Sequence, residues 1–254
     1  MWVLNLPLLL ILLTLLFSGC TVKVPTIAHT HIGHATTAWR NTPEQKGLLV
    51  VAEEQAELAL EHAQSAATKG GGIDQIRTEV AQAVAVTNPQ KTSGGVVKVE
   101  PPFGVKQALV GAIDHITFAG NSEDATQNVV RFAAEFPANS TAILERCDLI
   151  SLLGEDIAVA ASLEEAEILA RELAILARAN LDGLDADENG VIGNKPEEYG
   201  LRQLRDQLET MLVREDPPYT TVTHWYLFNL VQLPSGEWKF KERPANAGGN
   251  ASGY

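Results

Sequence analysis

The chain is 254 residues long, 45% hydrophobic, and carries a formal net charge of -13. That charge repels DNA, RNA and anionic lipid surfaces and favours cations, which excludes a nucleic-acid-binding role. The length supplies material for one core or two small ones, and 2 cysteines give no disulfide framework.

From Leu8 to Phe17 the chain is apolar, broken only by Thr14. The run is shorter than the ~20 apolar residues a membrane-spanning helix needs, and it fits the apolar core of a signal peptide over residues 1–19. It leads into Phe17-Ser18-Gly19-Cys20, small residues ahead of a cysteine. This segment resembles the lipobox of bacterial lipoproteins, although no Lys or Arg precedes it and Phe17 is bulkier than the usual Leu. The resemblance implies cleavage before Cys20, lipidation of Cys20, and anchoring in a membrane. Thr21 is not Asp, which by the same resemblance points to the outer membrane, facing the periplasm of the cell envelope. The alternative is an ordinary secretory signal with an incidental cysteine. With Cys20 acylated, Cys147 has no intramolecular partner and reads as a small buried residue.

Residues 20–46 contain Pro25, Pro43 and three histidines, and predict an irregular tether that partly packs down. Residues 47–214 read as a helical domain. Leu48, Val51, Ala52, Ala56, Ala59 and Ala63 follow helical spacing up to the glycines at 70–72. Ile73 to Val86 predicts a second helix and Gly104 to Phe118 a third, across a Pro- and Gly-containing loop. A fourth, capped by Asn121 or Ser122, is expected to stop before Pro137, and Ser140 to start a fifth ending near Gly154. Ser162-Leu163-Glu164-Glu165 is a capping box opening a helix to about Leu181, and Pro196 suits the first turn of a last helix reaching Val213. Short helices with brief connections predict a mainly α, antiparallel helical bundle. Residues 219–243 predict a small β-hairpin, Trp238 and Phe240 facing the helices, and the Gly- and Asn-rich residues 244–254 a disordered tail.

One constellation carries chemistry. Asp185, Asp187 and Asn189 alternate, Gly190 follows, and Val191 and Ile192 complete the run. This resembles the first two-thirds of an EF-hand loop, in which a hard Ca2+ ion is wrapped by oxygens from positions 1, 3 and 5 and by a backbone carbonyl at 7. By that resemblance Asp185, Asp187 and Asn189 give side-chain oxygens, Val191 its carbonyl, and Gly190 the sharp turn. Position 12, where a bidentate Glu belongs, is Pro196, so closure falls to Glu197 or Glu198 in a loop over 185–197 or slightly beyond. The alternative is a turn, because Asp, Asn and Gly favour turns.

His29, His31 and His34 lie close in sequence. In an extended segment His29 and His31 point the same way, and His34 folds toward them to bind Zn2+ or Cu2+, with His62 or His115 as a further ligand. No zincin, di-iron, phosphate-loop or Gly-x-Ser-x-Gly signature occurs, so no enzyme class is indicated. The sequence thus predicts an exported, lipid-anchored, calcium-binding protein, not an enzyme, whose calcium is structural. Its partners are the membrane, the ion and another envelope protein. A transition-metal protein using the histidines comes second, and an envelope enzyme third.

Overall fold

The computed structural model describes residues 26–68, 70–89, 103–219, 230–232 and 238–240. The expected signal peptide over residues 1–19, Cys20 and residues 244–254 lie outside the described residues, as does most of 219–243. Seven α-helices carry the described fold: α1 (Thr26–Thr36), α2 (Leu48–Ala67), α3 (Ile73–Thr87), α4 (Val105–Gly120), α5 (Gln127–Val159), α6 (Leu163–Asp182) and α7 (Leu201–Arg214). The protein is mainly α, and its helices pack as a bundle. No helix among the described residues is long and apolar enough to cross a membrane.

Two clusters of buried side chains share the long helices α2 and α5. One gathers Ile32 of α1, Leu48 of α2, Leu109 and Ile116 of α4, Phe136 and Ile143 of α5, and Leu204 and Leu212 of α7. The other joins Ala63 of α2, Val80 of α3, Ile150 and Ile157 of α5, and Leu173 of α6. Leu60 of α2 packs against both. Each fully buried Leu, Ile or Phe contributes roughly 1.5–3 kcal/mol. Alanines 52, 56, 59, 63 and 66 line the inner face of α2 and let its neighbours approach closely.

Three local outcomes differ from the expectation. Within the stretch expected to be irregular, Thr26–Thr36 is helical. Its Thr, His and Gly content gives it weak helix propensity, so tertiary contacts decide. Ala28, Ile32 and Ala35 are buried, and the Asp124 carboxylate accepts from the N–H groups of Ile27 (2.9 Å) and Ala28 (3.1 Å). That satisfies orphan donors of the first turn and sets a negative charge at its positive end.

The helix expected to stop at Pro137 instead continues as one element to Val159. Proline removes one intrahelical hydrogen bond and crowds the preceding turn. Val129, Phe132 and Phe136 before it, and Ile143, Cys147 and Ile150 after it, are buried, and that packing offsets the loss. The cap is Thr126, whose Oγ1 accepts from Val129 N–H at 3.2 Å, rather than Asn121 or Ser122. Finally, Pro196–Glu198 is a single 3-10 turn, and α7 begins only at Leu201.

The capping box at Ser162 forms as its sequence predicts: Ser162 Oγ accepts from Glu165 N–H at 3.2 Å. The Glu165 carboxylate reaches back to Ala161 N–H at 2.8 Å. Near the C-terminus the backbones of β1 (Leu230–Gln232) and β2 (Trp238–Phe240) pair antiparallel, Val231 opposite Lys239. Their side chains and any docking on the helices lie outside what is described.

Candidate metal centre

The loop between α6 and α7 is closed at its neck by backbone contacts. Gly183 turns out of α6 with φ of 80°, and a Cβ there would meet the Glu198 carbonyl oxygen at 2.5 Å. A Cβ on Gly200 would stand 2.3 Å from the Gly183 nitrogen. Leu184 N–H donates to the Glu198 carbonyl at 2.9 Å. Two glycines thus let the two ends touch, which sets Asp185 opposite Glu198.

Carboxylate oxygens of Asp185, Asp187 and Glu198 all lie within 4.8 Å of one another. Asp185 accepts from the N–H groups of Asn189 (3.1 Å) and Gly190 (2.8 Å), and Asp187 Oδ1 from Asn189 N–H (3.3 Å). Asn189 Oδ1 accepts from Val191 N–H at 2.8 Å, and Gly190 makes the turn with φ of 82°. Alternate side chains therefore fold over the loop's own backbone.

Glu198 differs from the rest. It is fully buried. Its Oε2 accepts from the N–H groups of Gly193 (3.2 Å) and Asn194 (3.0 Å), whereas its buried Oε1 has no hydrogen-bond partner. A buried acceptor left unmatched costs about 1–3 kcal/mol, and a cation would match it. On the solvent side, Lys195 Nζ sits 2.6 Å from Asp187 Oδ2 and holds that carboxyl below its usual range. An exposed pair of this kind contributes little.

Glu197, the other candidate for closure, has an exposed side chain. Its backbone carbonyl is used instead, accepting from Arg146 Nη2 at 2.6 Å. Arg146 Nη1 donates to the carbonyls of Ala179 (3.0 Å) and Tyr199 (2.8 Å). One buried guanidinium on α5 thus ties the end of α6 to the far side of the loop. Sequence reading missed Arg146, because an arginine 33 residues before its first partner leaves no local pattern. Asp182 is committed to an ion pair with Arg202 and another with Arg178 at 3.6 Å, away from the loop. Of the flanking apolar residues, Ala177, Leu181, Tyr199, Leu201 and Leu204 are buried. Leu184 is 46% exposed, Val191 51% and Ile192 41%.

The histidines regroup. Because Thr26–Thr36 is helical, a two-residue step turns about 200° and a three-residue step comes back to within about 60°. His29 therefore parts from His31, while His31 and His34 share a face. His29 is fully buried, its Nε2 3.1 Å from Glu215 Oε1. Glu215 also accepts from Thr126 Oγ1 (2.7 Å) and Asn128 Nδ2 (2.7 Å). The third member facing His31 and His34 is His115 of α4, with Nδ1–Nδ1 separations of 3.1 Å and 3.4 Å. Burial pushes the His115 imidazole down to about 4 and lowers that of His34. His62 pairs elsewhere, with Glu79 at 2.8 Å.

Cys147 is fully buried, and burial pushes its thiol up to about 12; Asn180 Nδ2 lies 3.4 Å from its sulfur. A thiol held protonated in this way is a poor nucleophile. No protein-family model matches the chain, and no curated protein or solved structure matches it.

Proposed function

We propose that the loop from Asp185 to Glu198 binds one calcium ion, and that the ion staples the junction of α6 and α7. In this reading the junction is an EF-hand-like helix-loop-helix, and Glu198 takes the closing position that Pro196 cannot fill. The observation that supports it best is the buried Glu198 Oε1 without a partner, beside Asp185 and Asp187. Calcium is a hard cation taking six to eight oxygens in flexible geometry. The loop offers oxygens only: three carboxylates, the Asn189 amide and backbone carbonyls, with Val191 among them. Their combined negative charge suits a divalent cation better than the single ammonium of Lys195.

The site is a staple because its two ends belong to different packed helices. Asp185 follows α6, and Glu198 lies on the side that Arg146 fastens to α5. An ion bound by both adds to the stability of the folded state in proportion to its occupancy. Exported proteins meet abundant calcium and use weak sites of this kind. The signal-like residues 1–19 and Cys20 support export and a lipid anchor at the cell envelope, and the role is structural or interactive with another envelope protein rather than catalytic.

The test is thermal unfolding in calcium and in EGTA. At a hundredfold excess over the dissociation constant, calcium adds about 2.7 kcal/mol, which raises the melting temperature by on the order of 5–10 °C for a chain of this size. Asp185→Ala abolishes the difference. Identical curves in calcium and EGTA would reduce the loop to a turn.

A further inference from the structure

We infer that His31, His34 and His115 form a second metal site, for one divalent transition-metal ion of the zinc type, independent of the acidic loop. One nitrogen from each of the three rings comes together between two helices. His31 and His34 come from one face of α1, His115 from α4, and one nitrogen of each ring lies within 4.8 Å of the other two. Zn–N bonds of 2.0–2.1 Å in tetrahedral array place neighbouring nitrogens ~3.3 Å apart. The observed Nδ1–Nδ1 separations from His115, 3.1 Å and 3.4 Å, bracket that value.

Hydrogen bonding alone satisfies the cluster poorly. A neutral imidazole has one N–H and one lone pair, so His115 Nδ1 cannot form good hydrogen bonds to both neighbours at once. A single cation facing all three lone pairs removes the conflict. Imidazole nitrogen suits zinc and its neighbours among the transition metals, whereas calcium takes oxygen ligands. The frame is rigid: α1 packs against α4, and the rings of His34 and His115 each lie 4.5 Å from that of Trp39. Phe118 stands 5.9 Å from His115 and 5.5 Å from His31. His31 and His34 are half-buried, so the site opens on the solvent side, where a water would supply a fourth ligand.

Zinc titrated calorimetrically into the full chain, with calcium present to fill the acidic loop, tests this. The expected result is one zinc per chain, weakened roughly tenfold or more in His34→Ala and in His115→Ala. His34 is half-buried, so its variant keeps the fold, which far-ultraviolet circular dichroism verifies. Asp185→Ala leaves zinc binding unchanged even though it removes the calcium response, so the two sites fail separately. Absence of zinc binding, or binding that survives His34→Ala or disappears in Asp185→Ala, would overturn the assignment.

Discussion

Asp185 and Glu198 stand at opposite ends of the interhelical loop, yet carboxylate oxygens of the two lie within 4.8 Å. Like charges so placed repel, and one of them is fully buried. The backbones touch at the neck, where Gly183 and Gly200 leave room, and N–H groups of Gly190, Gly193 and Asn194 hold the two carboxylates. Arg146 then fixes the far side by binding backbone carbonyls rather than either carboxylate.

Arg146 is therefore predicted to matter for stability more than for charge. Arg146→Ala removes the side-chain donor to the carbonyls of Glu197 and Tyr199, and leaves that of Ala179 only the N–H of Gly183. The cost expected is about 2–4 kcal/mol, read as a lower urea midpoint. Arg146→Lys recovers only part of it, because one ammonium cannot reproduce the planar fork. A midpoint unchanged in Arg146→Ala would show that the loop is held by its glycines alone.

Glu53 of α2 gives the fold a pH dependence. Burial raises its carboxyl to about 7, against the opposing pull of Arg205 at 2.6 Å. A raised carboxyl pKa means that the folded state binds the proton more tightly than the unfolded chain. Its stabilising contribution is then fully present below the unfolded value of about 4.5 and is lost as pH rises to about 7. Glu53→Gln, measured by denaturation at several pH values, should flatten that slope and gain on the order of 1–3 kcal/mol at neutral pH. An unaltered slope would contradict it.

Cys20 is predicted to carry the lipid. Cells fed labelled palmitate should incorporate label into the protein, and Cys20→Ser should abolish incorporation and release the chain from the membrane fraction. Labelling that persists in Cys20→Ser would place the anchor elsewhere.

The helical character of the protein was legible because α2, α3 and α6 repeat their apolar residues at helical spacing, and because Ser162 and Glu165 form a local cap. What was illegible depended on distant partners. α1 is helical through Asp124 and through burial against α4, neither of which its own Thr and His content signals. Pro137 reads locally as a stop, and only the packed faces on both sides keep α5 whole. The acidic loop was visible as a run of alternate oxygens, but which of Glu197 and Glu198 turns inward depended on the 3-10 turn at Pro196, which exposes the first and buries the second. The regrouping of His115 with His31 and His34 follows from α1 being helical, so the same distant contacts concealed both.

Calorimetric titration of calcium into the purified chain, compared with Glu198→Gln and Glu197→Gln, bears most directly on the proposed staple. One calcium per chain should bind, Glu198→Gln should lose it, and Glu197→Gln should keep it. No heat of binding in the unaltered chain, or loss in Glu197→Gln with retention in Glu198→Gln, would contradict the account.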